Sequence, residues 1–185
     1  MSFAAGGQGH LVSPVRIDPA RAKEAEQAVD RQLAEAAKGA DANFSERDLE
    51  LVNAFRAAAS AQDAAKVANA TTLRPKYINA NRYQEVSAAA SRIVVSFNDT
   101  GGSEFTRADQ DLMTAFQMAL LACEALKRTA AKNVKGVRAE LVAAASSSAP
   151  RVVAEFNVRG SDASYNADDV QALRDFHDAL PGKKP

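Results

Sequence analysis

The sequence predicts an all-α protein, a compact bundle of about six to seven helices. Alanine dominates the composition, and it forms helices most readily because it loses no side-chain entropy on folding. Apolar residues recur at steps of three and four along most of the chain, which is the spacing of one helix face. One helix-start pattern also occurs three times at a regular spacing. Together these features indicate three helix–loop–helix repeats of about 60 residues.

The composition limits the functions that this chain can have. Its 185 residues are enough for one domain with a real core. Lysine and arginine number 23, as do aspartate and glutamate, so no large field of one sign is available to attract nucleic acid. Cys123 is the single cysteine, which excludes an internal disulfide and a thiolate-rich metal site.

The sequence lacks the features of a membrane anchor or a conventional signal peptide. The longest apolar run, near Met118 to Cys123, is too short to span a bilayer. The first residues have no basic region followed by an apolar stretch. We therefore expect no membrane insertion, and a protein that is cytoplasmic or is secreted without a conventional signal peptide.

The first predicted helix follows a segment without apolar periodicity. Residues 1–17 are rich in glycine, so we expect a flexible tail. Asp18 caps a helix that begins at Pro19, where the missing N–H costs nothing, and that runs to about Lys38. The apolar stripe of this helix is thin, which predicts weak anchoring. It comprises Ala22, Ala25, Val29, Leu33 and Ala36.

The second helix begins with a capping box and a hydrophobic staple. Ser45 is placed to accept the N–H three residues on, and Asp48 is placed to reach back to the Ser45 N–H. Phe44 and Leu49 are spaced to pack against each other across the helix start. We therefore expect a well-defined first turn.

The end of the second helix is open to two interpretations. The helix either breaks after Ala59 or continues to about Ala70. Residues 71–80 then form a connector, because Arg74 precedes a proline and is disfavoured in a helix. The predicted buried face continues through Leu51, Val52 and Phe55.

The third helix is predicted to start at a cap on Asn79 or Asn81 and to reach about Phe97. Residues 92–98 and 151–158 both carry runs of β-branched residues, so a strand is the alternative in each. Apolar residues four positions apart favour the helix. The residues expected to point inward are Val86, Ile93, Val94 and Phe97.

The fourth helix is the most apolar in the chain. Residues 98–104 form a glycine-containing loop, and Thr106 caps the helix that follows, which runs to about Ala131. A face this broad belongs at the centre of a bundle. The face comprises Leu112, Met113, Phe116, Ala119, Leu120, Leu121, Cys123, Leu126 and Ala130.

The last third of the chain is predicted to form three helical segments. One spans Val134 to Ala145 and fades through three serines. Structure restarts at Pro150 and closes at Gly160. A final helix then begins at the Asn166 cap.

The helix-start pattern is an aromatic residue, a capping residue directly after it, an aspartate four positions on and a phenylalanine eleven positions on. Its three occurrences predict repeat units at about 18–70, 79–131 and 134–180. These units lie within one domain, 18–181, and a short tail follows at 182–185. The aromatic residues are Phe44, Phe105 and Tyr165, and the capping residues are Ser45, Thr106 and Asn166. The aspartates are Asp48, Asp109 and Asp169, and the phenylalanines are Phe55, Phe116 and Phe176.

One loop invites comparison with a calcium site. Residues 98–109 are similar to an EF-hand loop, which places oxygen ligands at positions one, three, five and twelve. Here those positions are Asn98, Thr100, Gly102 and Asp109, which is too few acids for tight binding. A degenerate, EF-hand-like domain that binds a divalent cation or a small ligand is therefore the alternative function.

Catalytic chemistry finds little support in the sequence. His10 lies in the predicted tail, and His177 on the last helix is interpreted as a solvated or capping side chain. Cys123 lies on an apolar seam, where a thiol packs rather than reacts. We predict no catalytic residue, no metal ligand and no cofactor.

The leading prediction is a non-enzymatic, helical protein-interaction module: an adaptor, an assembly factor or a secreted bacterial effector. The bacterial assignment rests on abundant alanine and on arginine outnumbering lysine. The expected partner is a protein, either a second copy or a different chain. The interacting residues are not predicted.

Overall fold

The computed structural model describes residues 15–182, and this part of the chain is helical without strands. The predicted all-α class is confirmed. The helices are α1 (Pro19–Ala36), α2 (Glu46–Asn69), α3 (Ala80–Thr100), α4 (Arg107–Ala130), α5 (Ala139–Arg159) and α6 (Ala167–Asp178). Within the same range, no helix is long and apolar enough to cross a membrane.

Each helix packs against the next along the chain, most extensively α2 on α3 and α4 on α5. We describe α1–α2, α3–α4 and α5–α6 as three hairpins, following the repeat units that the sequence predicts. In addition, α2 contacts α4, and α4 contacts α6. The helix α4 therefore touches α2, α3, α5 and α6, which is the central position that its broad apolar face predicts.

The core combines small side chains with four fully buried phenylalanine rings. Alanine makes up most of the buried positions of α2, which lets neighbouring backbones approach closely. Aromatic contacts join successive hairpins: the ring centroids of Phe55 and Phe97 are 5.8 Å apart, as are those of Phe116 and Phe156. These pairs link α2 to α3 and α4 to α5.

The two segments with β-branched runs are helical. Residues 92–98 lie within α3 and residues 151–158 within α5. Ile93, Val94 and Phe97 are almost completely buried, as the helical spacing predicts. The stretch after Ala59 also continues as helix, so α2 is one element.

The predicted break in the fifth helix is wrong. Pro150 lies inside α5, which runs without interruption through the three serines that were expected to end a helix. A proline inside a helix costs about 3 kcal/mol, since it removes one N–H donor and crowds the preceding turn. Val152 and Phe156 are buried immediately after it, and this packing holds the turn in helical form. The helix also begins at Ala139 rather than near residue 134.

The predicted caps Ser45, Thr106 and Asn166 are correct, but the reciprocal half of the capping box is wrong. Asn79 lies at the start of α3 without a side-chain capping bond. Ser45 accepts a hydrogen bond from the Asp48 N–H at 3.4 Å, and Thr106 accepts one from the Asp109 N–H at 3.3 Å. Asn166 caps in the same way, through the N–H two residues on. The three aspartates do not reach back to the cap, because each carboxylate binds an arginine of the preceding helix.

The ends of the described range bear on the predicted tails. Val15 and Ile17 pack against the core, and the Ile17 N–H donates to Gln62 Oε1 at 3.0 Å. Residues 15–17 therefore belong to the packed part of the chain and not to the tail. The rest of the predicted N-terminal tail, with His10, and residues 183–185 lie outside the described residues.

Candidate interaction surface

An arginine–aspartate pair joins the two helices of every hairpin. The arginine lies in the second half of the first helix, and the aspartate lies in the first turn of the second. In the first hairpin, Arg31 Nε and Nη2 each donate to one carboxylate oxygen of Asp48 at 2.8 Å. This bidentate geometry is the strongest form of a side-chain ion pair. The other two pairs are Arg92–Asp109 and Arg151–Asp169.

Each aspartate of these pairs is buried, whereas each arginine side chain is more than half exposed. The hydrogen bond from Arg31 holds the pKa of the Asp48 carboxyl below its ordinary value. The hydrogen bond from Arg151 lowers the pKa of Asp169 in the same way. These carboxylates are therefore structural, and they are not available to a ligand.

A second arginine joins each hairpin to the next. Arg21 of α1 donates from Nε and Nη2 to the Asn98 and Asp99 carbonyl oxygens at the end of α3, both at 3.0 Å. Arg82 of α3 donates in the same manner to the carbonyls of Asn157 and Val158 at the end of α5. Each guanidinium thus satisfies carbonyls that a helix end leaves without intrahelical partners.

The asparagine at each of these helix ends completes the joint. Asn98 Oδ1 accepts from the Asp18 N–H at 2.8 Å, and its Nδ2 donates to the Arg16 carbonyl. Asn157 makes the same two bonds to the Asn79 N–H and the Tyr77 carbonyl. The second hairpin is therefore attached to the first through the same contacts that attach the third to the second.

These contacts establish which positions of the hairpins correspond, and one position differs sharply between them. Counting from the paired arginines, Leu33 of α1 corresponds to Val94 of α3 and Val153 of α5. Val94 is 1% exposed and Val153 is 6% exposed, whereas Leu33 is 65% exposed. An exposed apolar residue is unremarkable by itself, but exposure at a position that is buried in both other hairpins marks an uncovered face.

Two contacts show which helix covers this face in the second hairpin. The Ser87 hydroxyl of α3 donates to Asn69 Oδ1 of α2 at 2.9 Å. The Phe97 ring of α3 meets the Phe55 ring of α2. Val94 lies between Ser87 and Phe97 on the helix surface, so this face of α3 points at α2.

The corresponding face of α1 is the stripe that the sequence predicts to be thin. We call Ala22, Val29, Leu33 and Ala36 the α1 face. Ala22 and Val29 are half-buried, and Leu33 and Ala36 are exposed. Only Ala25 and Ala28 of α1 are fully buried, and they lie along the side of the helix that adjoins the α1 face. The described part of the chain provides no helix that covers the α1 face as α2 covers α3.

An acidic edge borders the α1 face. Glu26 and Asp30 lie one helical turn apart and are exposed. Neither forms an ion pair with another described residue. They correspond to Ser87 and Ser91 of α3, so carboxylates replace hydroxyls along the side that meets the covering helix.

The aromatic residue at the second helix start gives a further contrast. The Tyr165 hydroxyl donates to the Ala115 carbonyl of α4 at 2.8 Å, and Phe105 packs against the core. Phe44, at the corresponding position, is 42% exposed, and so is Leu49 at 41%. Phe44 and Leu49 are therefore not buried as a staple pair should be, and no described helix covers Phe44 as α4 covers Tyr165.

The side chains that sequence analysis weighed for catalysis are engaged in packing. Burial raises the pKa of the Cys123 thiol to about 12, so a thiolate nucleophile does not form there at neutral pH. His177 Nδ1 lies 3.3 Å from Glu124 Oε2, which places it in a surface contact between α6 and α4. His10 lies outside the described residues.

The calcium-like segment is not a continuous loop. Asn98 and Thr100 belong to the last turn of α3, and Asp109 belongs to the first turn of α4. The Asn98 side chain is bonded to the start of α1, and the Asp109 carboxylate is bonded to Arg92. Between residues 15 and 182, no group of three or more His, Cys, Asp or Glu side chains could hold a metal ion.

The sequence did not predict the α1 face as a site, because the exposure of a helix face depends on which other helices pack against it. The paired arginines were also missed, although each lies 17 or 18 residues before its aspartate and so carries a periodic signal. No protein-family model, curated protein or solved structure matches this chain.

Proposed function

We propose that this protein is a non-enzymatic interaction module of three helical repeats, and that the α1 face is where a partner protein docks. The observation that carries this proposal is the 65% exposure of Leu33 at a position that is buried in the other two hairpins. Covering a leucine side chain gains about 1.5–3 kcal/mol, so an uncovered one favours association. An adaptor, an assembly factor or a secreted bacterial effector is the class of protein that this arrangement suits.

The matching arginine and asparagine contacts support the repeat part of the proposal. In repeat proteins each unit buries its apolar face against its neighbour. The outer face of α6 is polar, since it exposes Gln171, Arg174 and Asp175. The α1 face instead keeps Val29 and Leu33 where no described helix covers them, and binding to another protein accounts for this difference.

Affinity capture from the source organism tests the proposal. The bait is the full chain in three forms: unmodified, Leu33→Glu and Leu73→Glu. Leu73 is 59% exposed in the α2–α3 connector, so its substitution is a matched control. We expect a defined partner to be captured by the unmodified chain and by Leu73→Glu, and to be lost with Leu33→Glu. Equal capture by all three forms would refute the assignment of the α1 face.

A further inference from the structure

The partner's contacting element can be specified, given the proposed function. We infer that the α1 face takes an amphipathic helix that presents small apolar residues and carries lysine or arginine along one edge.

The helices that cover the corresponding faces of α3 and α5 combine several alanines with one phenylalanine at the contact. The helix α2 covers α3, and six of the eight buried residues of α2 are alanine. The helix α4 covers α5, and the Phe116 ring of α4 meets Phe156 of α5. Small residues let the covering helix approach closely, since a larger side chain would hold the two backbones apart.

The sizes of the side chains on the α1 face suit a single partner helix that crosses the middle of the face. Tyr83 and Phe97 occupy the two ends of the face on α3, where α1 has the much smaller Ala22 and Ala36. The two ends of the α1 face therefore protrude less than the corresponding ends on α3.

The centre of the face is correspondingly high. Val29 and Leu33 of α1 replace the smaller Ala90 and Val94 of α3. A raised centre between low ends fits a crossing helix whose small residues seat on Val29 and Leu33. The backbone hydrogen bonds of α1 are satisfied within the helix, so the face offers no edge to an extended strand.

The acidic edge indicates the charge that the partner helix carries beside it. Glu26 holds the position of Ser87, whose hydroxyl bonds directly to the covering helix α2. A carboxylate at that position meets the covering helix too, and Asp30 follows one turn later on the same side. Lys23 is exposed and lies on α1 directly beyond Asp30, so this edge carries two carboxylates and one ammonium group and is net acidic. The edge therefore calls for cationic side chains on the partner.

In a second copy of the chain, α6 does not supply such a helix. The helix α6 corresponds to α2 and α4, and its outer side is exposed. Where α4 has Ala115, however, α6 has Asp175, whose carboxylate binds the Gln171 amide at 2.7 Å. Arg174 is exposed beside them, so this surface is charged. The outer side of α6 is therefore excluded as the occupant, and we assign the α1 face to a different protein.

Synthetic helices test the inference on the full chain. Three peptides of about 20 residues, held helical by a staple, share one alanine- and leucine-bearing face. They differ only along one edge, which carries lysine, glutamine or glutamate. Binding is measured by fluorescence anisotropy at about 100 mM salt, where charges near contact are still felt. We expect the lysine peptide to bind at least about tenfold more tightly than the glutamate peptide.

Three protein variants separate the outcomes. Leu33→Glu should abolish binding, Leu73→Glu should leave it unchanged, and Glu26→Gln combined with Asp30→Asn should remove most of the difference between peptides. Equal affinity for all three peptides, still dependent on Leu33, would overturn the cationic partner but leave the docking face intact. If a partner is captured in a Leu33-dependent manner but no peptide binds, the inference that the partner docks through a helix is wrong. Leu33-dependent self-association by sedimentation would overturn the choice of a different protein.

Discussion

Gly160 ends α5 with a backbone φ of +56°, a conformation that other residues rarely adopt. A Cβ at this position would come within 2.9 Å of Arg82 Cζ, the guanidinium that binds the last carbonyls of α5. We predict that Gly160→Ala lowers the free energy of unfolding by about 1–3 kcal/mol. Gly136→Ala is the control, because Gly136 also has positive φ but no atom near its Cβ site. Equal losses in urea denaturation would show that the contact with Arg82 is unimportant.

The arginine–aspartate pairs predict a specific dependence of stability on pH. The pKa values of Asp48 and Asp169 are lower in the folded protein than their ordinary value of 3.8. Their contribution is therefore complete above the unfolded pKa and is lost as pH falls through the folded pKa. We expect Tm to be level between about pH 7 and 5 and to fall below about pH 4.

Substitution identifies the responsible groups. Asp169→Asn should lower Tm at neutral pH and reduce the fall of Tm at acid pH, because one titrating carboxylate is gone. Asp63→Asn should do neither, since Asp63 pairs with Lys66 at the surface with 76% of its side chain exposed. An unchanged fall of Tm at acid pH in Asp169→Asn would contradict this assignment.

At the scale of single residues, capping was predictable and ion pairing was not. Ser45 and Thr106 cap because an N-cap depends on residues within one turn. The partner of Asp48 is Arg31, which lies across a loop and becomes adjacent only when the two helices pack. The local pattern assigned Asp48 to the capping box, and the stronger bidentate pair prevailed.

At the scale of elements, Pro150 lowers the stability of α5, because a proline inside a helix removes one hydrogen bond and crowds the preceding turn. Its side chain is exposed, so replacement opens no cavity. We predict that Pro150→Ala raises the free energy of unfolding by about 1–2 kcal/mol, the helix penalty being partly offset by greater freedom of the unfolded chain. Chemical denaturation measures the change. A loss of stability would show that the neighbouring helices require the proline geometry.

The helix α1 is held differently from α4. Its fully buried residues are two alanines, whereas α4 buries nine residues against its neighbours. Native-state hydrogen exchange should therefore find α1 amides opening at a free energy well below that of α4 amides. Equal protection in both helices would contradict weak anchoring.

The element-level predictions succeeded where apolar periodicity was long and failed at a helix-breaking residue. The spacing of Ile93 and Phe97 correctly favoured a helix over a strand. Pro150 after three serines is a strong local stop signal, yet the burial of Val152 and Phe156 overrides it. Tertiary packing of this kind is not visible in a local window of sequence.

At the scale of the whole molecule, three hairpins are joined by matching sets of contacts. The spacing of Phe44, Phe105 and Tyr165 predicts three repeats of similar length, and the repeat stays a prediction. It could not predict which hairpin would keep an open face, because that depends on what packs against α1. The structure adds that contrast, and the functional proposal rests on it.

The most direct measurement of the central claim is site-specific photo-cross-linking in the source organism. A photoreactive amino acid replaces Leu33 in one version of the chain and Leu73 in the other, and cross-linked products are identified by mass spectrometry. We predict one dominant adduct from position 33, mapped to a helix with basic residues on the partner, and none of that adduct from position 73. Indistinguishable products from the two positions, or no adduct at position 33, would contradict the claim that the α1 face is a docking surface.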